Sequence, residues 1–296
     1  MTSPVAPSIE VDGTTVVGSL SPSRAGDFLQ CPLLYRFRTI DRLHEPSSPD
    51  ALRGTVVHKV LEDLFDVPAV GRTPRHAADL LVPTWQGLVE ASPEVMEMFE
   101  GDGPDLGAWL ESCQRVLRTY FDLEDPRRLE PAERELYVEF VLPSRILLRG
   151  IVDRVDVAPD GAVRIVDYKT GRSPREGFEA TALFQLKFYG LVLWRMRGVV
   201  PSMLQLVYLG NGEILRYVPD VQDLLATERK VEAVWRAIEE AREEGQWRPR
   251  RSRLCDWCAH QALCPEFGGT PPPLPQSDPL PQSDPEPESD PEPVPG

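Results

Sequence analysis

Apolar positions follow two rhythms along this chain. Over Ala51–Phe65 they recur at helical spacing, with Val57, Leu61 and Leu64 on one face. Before that, Ser21 and Pro22 form a cap and first turn for a helix running toward Phe37, which Pro32 should kink or interrupt. Residues 75–124 read as two or three further helices, broken at Ser92–Glu94 and at Gly101–Asp105. Then the period shortens to two. Arg134–Pro143, Arg145–Ala158 and Ala162–Thr170 are rich in Val, Ile and Leu and predict three strands, the last two joined by a turn at Pro159–Gly161. A helix over Glu179–Arg197 follows. Strands at Met203–Gly210 and Glu213–Pro219 are joined by Asn211-Gly212, a strong hairpin signal. A long amphipathic helix covers Val221–Glu244. This order predicts an α/β fold, a mixed sheet flanked by helices.

The ends differ from this core. Residues 1–19 read as a flexible arm with a short strand at Thr14–Val17. Residues 270–296 repeat PQSDP at Pro275 and Pro281, are acidic and hold almost no large apolar residue, so disorder is expected there. The domain is therefore expected over 20–269, with 75–124 as a helical insertion.

Composition narrows the class. The 296 residues are 41% hydrophobic, enough for one large domain or two small ones. The first residues lack a basic start and an apolar run, and no apolar stretch is long enough to span a bilayer, so a cytoplasmic protein without a membrane partner is expected. The net charge is −15, and without the six acids of the tail it is −9. Any contact with DNA must then come from a local patch. One exists: Arg248, Arg250, Arg251 and Arg253 follow Trp247, which suits single-stranded DNA through phosphate pairing and base stacking, or is simply a solvated linker.

Chemistry concentrates where the strands end. Alternate residues of a strand share a face, so Asp167 and Lys169 point the same way and Tyr168 the other. That arrangement is either an exposed ion pair or half of a metal-dependent site. If the second and third strands form a hairpin, Asp153 approaches Asp167. Two converging carboxylates repel, and a hard divalent cation such as Mg²⁺ or Mn²⁺ would compensate them. His58 lies on the helix four residues after Gly54, and Gln185 and Tyr189 share a face of the helix after the third strand. Asp156 is expected to be solvated, while Glu62, Glu133 and Glu135 are left between a supporting role and simple exposure.

Five cysteines in a chain without a secretory start argue against a disulfide framework. Cys255, Cys258 and Cys264 form C-x₂-C-x₅-C and need a fourth ligand, for which Cys31 is the candidate. Four thiolates suit zinc or an iron–sulfur cluster, and His260 competes as a zinc ligand. Cys113 falls outside the pattern and reads as a packed core thiol.

Taken together, GTVVHKVLE, GIVDRVD, VDYKTG and FQLKFYG resemble, in order, the RecB-like branch of the PD-(D/E)XK nucleases. The resemblance covers about residues 20–268 and implies a restriction-endonuclease-like fold with an N-terminal helical region and a cysteine-clasped C-terminus. It implies His58, Asp153, Asp167 and the carbonyl of Tyr168 as metal ligands, Lys169 as the catalytic lysine, and Gln185 and Tyr189 as residues positioning DNA or that lysine. The cysteine pattern is similar to that of CRISPR-associated RecB-like exonucleases and the AddB nuclease domain. It implies a structural 4Fe–4S cluster on Cys31, Cys255, Cys258 and Cys264. The expected activity is Mg²⁺- or Mn²⁺-dependent DNA hydrolysis by an exonuclease acting on single-stranded DNA or DNA ends in repair or recombination. The alternative is an inactive DNA-binding scaffold or the nuclease subunit of a helicase complex. No Walker phosphate loop is present, so a helicase or repair partner would be another chain.

Overall fold

The computed structural model describes residues 9–11, 13–173 and 179–275. Residues 1–8 of the expected arm and 276–296 of the acidic tail lie outside the described residues. In chain order the elements are β1 (Ile9–Val11), β2 (Thr14–Val16), β3 (Gly18–Leu20), α1 (Pro22–Gln30), α2 (Pro32–Tyr35), α3 (Pro49–Asp63), α4 (Pro74–Ala91), α5 (Leu106–Leu123), β4 (Glu133–Val141), β5 (Ile146–Val157), β6 (Val163–Lys169), α6 (Glu179–Arg197), β7 (Met203–Tyr208), β8 (Glu213–Tyr217) and α7 (Val221–Glu243). They fall into two compact units. One holds Met1–Glu45, Glu139–Gly150 and Glu228–Gly296, and the other Pro46–Val138 and Ile151–Thr227.

In the first unit Ser21 caps α1 by accepting from the Arg24 N–H, and Pro22 occupies the first turn. Cys31 is extended, and Pro32 restarts the chain as α2, so the expected interruption is a clean break between two helices. Residues 9–20 make more structure than the one short strand expected. β1 and β2 pair antiparallel, and β3 runs parallel to the first residues of β5, Gly18 opposite Ile146. Gly18 has a packing reason: a Cβ there would stand 2.1 Å from the Trp235 ring of α7.

The second unit is built on β6. The later residues of β5 pair antiparallel with it, from Arg154 opposite Val166 to Val157 opposite Val163. β7 runs parallel to β6, from Met203 opposite Arg164 to Tyr208 opposite Lys169, and β8 closes the edge antiparallel to β7. A parallel pair needs a long crossover, which α6 supplies. The sheet is therefore mixed, as the alternation of strands and helices predicts.

Helices cover it. Ser48 caps α3 by accepting from the Ala51 N–H, with Pro49 in the first turn, so this helix starts and ends two residues earlier than its apolar pattern suggests. Val56, Val57, Val60 and Leu61 of α3 share one core with Leu81 and Trp85 of α4, Trp109, Leu117 and Tyr120 of α5, and Val166, Tyr168 and Val207 of the sheet. Burial of large apolar side chains at roughly 1.5–3 kcal/mol each holds α3 against the strands. That fixes His58 relative to β6. No helix among the described residues is long and apolar enough to cross a membrane.

Candidate active site

Two adjacent strands and two helices of the second unit bring the expected residues together. The side chains of Asp153 and Asp167 share one side of the β5–β6 hairpin, because Arg154 pairs with Val166 and alternate residues change face. The Asp153 Oδ2 accepts the Tyr168 N–H at 2.6 Å and lies 3.5 Å from His58 Nδ1. Lys169 Nζ is 2.7 Å from Asp167 Oδ2, so these two side chains do share a face. The same ammonium donates to Gln185 Oε1 at 3.0 Å. The Gln185 amide donates in turn to Asp167 Oδ1 at 3.1 Å and to the Tyr189 hydroxyl at 3.2 Å. One turn of α6 thus aligns Gln185 and Tyr189 on the Asp–Lys pair.

Of the three acids left undecided by the sequence, Glu135 is the one that joins the site. One ligand atom each from His58, Glu135 and Asp153 lies within 4.8 Å of the others. Its backbone has φ 43°, a left-handed conformation inside β4. That twist breaks the period-two pattern, so alternation along the strand carried no signal for it. The other two undecided acids go elsewhere: Glu62 pairs with Lys59 at 3.0 Å and Glu133 approaches Arg197 at 3.5 Å.

The electrostatics are those of crowded acids. Asp167 is 2% exposed, and burial, followed by the charge of Asp153, pushes its carboxyl up to about 6. Burial and then Asp153 push Glu135 up to about 7. For His58 burial works against the charged form, but its hydrogen bond to Asp153 and the surrounding acids win and raise it. Carboxylates that hold one another's protons on, next to an imidazole, fit a hard divalent cation. Oxygen donors with one histidine suit Mg²⁺ or Mn²⁺ chemistry.

Tyr168 faces the opposite side, as alternation requires. Its hydroxyl meets Arg154, and its ring packs edge-on to Tyr120 at 5.8 Å and to His58 at 6.1 Å. Asp156, expected to be solvated, shares that side. It is largely buried and paired with Arg154 at 3.1 Å and Arg164 at 2.7 Å. Its strand-end position is real, but Arg154 on the same face captures it.

The cysteines belong to the first unit. Cys31, Cys255, Cys258 and Cys264 line one cavity there. Backbone N–H groups point at two sulfurs, Arg250 at Cys31 (3.3 Å) and Ser252 at Cys255 (3.4 Å). Among the described residues no three cysteine sulfurs lie within 4.8 Å of one another. Thiolates on one tetrahedral zinc would stand about 3.8 Å apart, given Zn–S bonds of about 2.3 Å. His260 is buried with Nε2 2.6 Å from Glu45, and among the described residues it joins no two cysteine sulfurs within 4.8 Å. Cys113 is a buried thiol that burial pushes up to about 11. Trp247 corrects an expectation. It is 6% exposed and stacked on Tyr35 at 5.9 Å, so it offers no face to a base.

The chain is 28% identical to the Gene 69 protein of Mycobacterium phage D29 over 201 residues, 60% of this chain and 70% of that protein. Its fold is similar to the crystal structure of a candidate exonuclease from Eubacterium rectale, with a TM-score of 0.54 at 16% identity over 82% of this chain and 87% of that one. The model of the PD-(D/E)XK nuclease superfamily matches residues 19–265, a span that includes both carboxylate strands, the histidine helix and the Gln–Tyr helix. With that match and the mixed sheet behind the Asp–Lys pair, this chain belongs to the PD-(D/E)XK nuclease superfamily.

Proposed function

We propose that this chain is a RecB-like, divalent-metal-dependent DNA nuclease, an exonuclease acting on single-stranded DNA or DNA ends in repair or recombination. The observation that carries this reading is that one unit holds, on adjacent strands, the Asp153–His58 pair and the linked set Asp167, Lys169, Gln185 and Tyr189. His58, Asp153, Asp167 and the Tyr168 carbonyl would hold the cation, with Glu135 joining them. When bound, Mg²⁺ or Mn²⁺ supplies Lewis acidity toward a phosphate oxygen and makes water acidic enough to ionise near neutral pH.

The rest is the work of the side chains. Lys169 has three N–H donors, of which Asp167 and Gln185 take two. The third is left for a phosphate oxygen, where negative charge builds as the P–O bond is broken. Gln185 fixes both members of the Asp–Lys pair, and Tyr189 fixes Gln185.

The reading extends to the other unit as a structural 4Fe–4S cluster on Cys31, Cys255, Cys258 and Cys264. A cluster gives each thiolate its own iron and so spreads the sulfurs wider than zinc does. The backbone N–H groups aimed at Cys31 and Cys255 favour bound thiolates. Residues 20–269 are the nuclease domain, with 75–124 as its helical insertion and 270–296 as an acidic tail. A reducing cytoplasm, and a helicase or repair partner supplied as another chain, complete the proposal.

The test is cleavage of end-labelled single- and double-stranded DNA by anaerobically purified protein with Mn²⁺, Mg²⁺ or EDTA, wild type against Lys169→Ala. Metal-dependent cutting that disappears in the variant is expected. Equal cutting by both proteins refutes the site. No cutting by either, with iron present, favours the scaffold or a missing partner.

A further inference from the structure

The cysteine-bearing unit carries a surface that the nuclease reading leaves unused. Trp257, between Cys255 and Cys258, is 78% exposed, and Leu254 is 51% exposed. Both belong to the single 3₁₀ turn Arg253–Trp257, in which residues three apart stand one above the other. Their apolar side chains therefore share one side of the turn. The turn itself is fixed. Ser252 accepts the Leu254 N–H at 3.2 Å, the Cys258 N–H bonds the Cys255 carbonyl at 3.0 Å, and the Gln261 amide bonds that carbonyl too. A rigid backbone holds a large indole in water.

The charge beside it is local and strong. Four arginines and one acid, Asp256, lie between Gln246 and Cys258 in a chain of net charge −15. Arg248, Arg251 and Arg253 are exposed, whereas the Arg250 side chain, also exposed, is committed to the Leu29 carbonyl. Arg251 lies over the exposed ring of Phe267 at 5.3 Å, which adds a second aromatic to the same patch. Open rings interleaved with arginines match an unpaired polynucleotide: guanidiniums neutralise phosphates, and bases stack on the ring faces whatever their identity.

We propose that Trp257, with Arg248, Arg251 and Arg253, is a stacking platform for single-stranded DNA, the role that Trp247 cannot fill. The proposal rests on the nuclease reading for the polymer being DNA, and it assigns the contact to the turn between two cysteines.

The experiment is fluorescence anisotropy of a labelled oligothymidine of about 20 nucleotides, longer than a typical single-strand site. It uses the full chain in EDTA, so that no cleavage intervenes, with iron content measured on every variant. Trp257→Ala is expected to weaken binding by about tenfold, as loss of one stacked base implies, while Trp257→Phe keeps most of the affinity. Arg253→Gln should lower the salt slope by about 0.7, the share of one single-strand phosphate. Unchanged affinity in Trp257→Ala with iron retained overturns the platform. So does a wild type that binds no oligothymidine, and a protein partner then becomes the occupant. If Trp257→Ala loses affinity only by losing its iron, or if Trp257→Phe is as weak as Trp257→Ala, the stacking role is also overturned. Metal-dependent cutting by the wild type is scored separately, so the nuclease reading and the platform fail independently.

Discussion

Arg154 holds both carboxylate oxygens of Glu124, at 2.8 and 3.1 Å, while its own side chain is 1% exposed. The pair lies on the face of β5 opposite Asp153, and the same guanidinium reaches the Tyr168 hydroxyl and Asp156. A buried arginine this fully paired stabilises little by itself, but breaking it leaves an uncompensated charge. Arg154→Leu should therefore lower the free energy of unfolding by about 3–5 kcal/mol, read from urea denaturation.

Glu124 gives the pair a pH signature. Burial opposes its charge, but Arg154 wins and holds the carboxyl below its ordinary value. A depressed carboxylate contributes stability above its unfolded pKa, which is lost as pH falls through the folded value. Wild type should thus lose stability as pH drops below about 4, the ordinary carboxylate range, more steeply than Glu124→Gln. Parallel denaturant midpoints for the two proteins across that range would refute the assignment.

Lys169 should act on chemistry and not on binding. Lys169→Ala is expected to lower kcat by at least about 100-fold, the scale of one lost donor to a developing oxyanion, while oligonucleotide affinity in EDTA stays at the wild-type value. Gln185→Ala should move kcat the same way by less, because Asp167 still holds the ammonium at 2.7 Å.

Glu135 should show itself without turnover. Its carboxylate stands in a cluster whose acids repel one another. Glu135→Gln should weaken Mn²⁺ binding by about tenfold or more, read by electron paramagnetic resonance of free Mn²⁺. The same change should raise the melting temperature of the metal-free protein. Mn²⁺ affinity equal to wild type would remove Glu135 from the ligand set.

The cysteines divide into four and one. Cys31→Ser should lose bound iron and destabilise the protein, whereas Cys113→Ala should keep its iron. Iron and sulfide analysis of anaerobic samples decides this, and a colourless wild type containing zinc would overturn the cluster.

How much of this was legible in the sequence varied with the range of the interaction. Asp167 and Lys169 could be paired because strand alternation is local and strict, and Gln185 and Tyr189 because a helical turn is. Asp153 followed once the hairpin was inferred. Glu135 was not legible, since a left-handed residue inside a strand leaves no periodic trace. Trp247 was misread because its partner, Tyr35, lies at the other end of the chain. Asp156 was misread because the pattern gave its position but not the capturing arginine two residues before it.

Tyr168 has a consequence for how the strand folds. A slip of one residue between β5 and β6 would turn Asp167 and Lys169 toward Tyr120 and deliver Tyr168 to the side of Asp153. It would also leave Arg154 buried without the hydroxyl that now meets it. The tyrosine between the acid and the lysine thus works as a checksum on strand alignment: a hairpin assembled out of step forfeits this hydroxyl contact and turns the charges of Asp167 and Lys169 into the packed side around Tyr120.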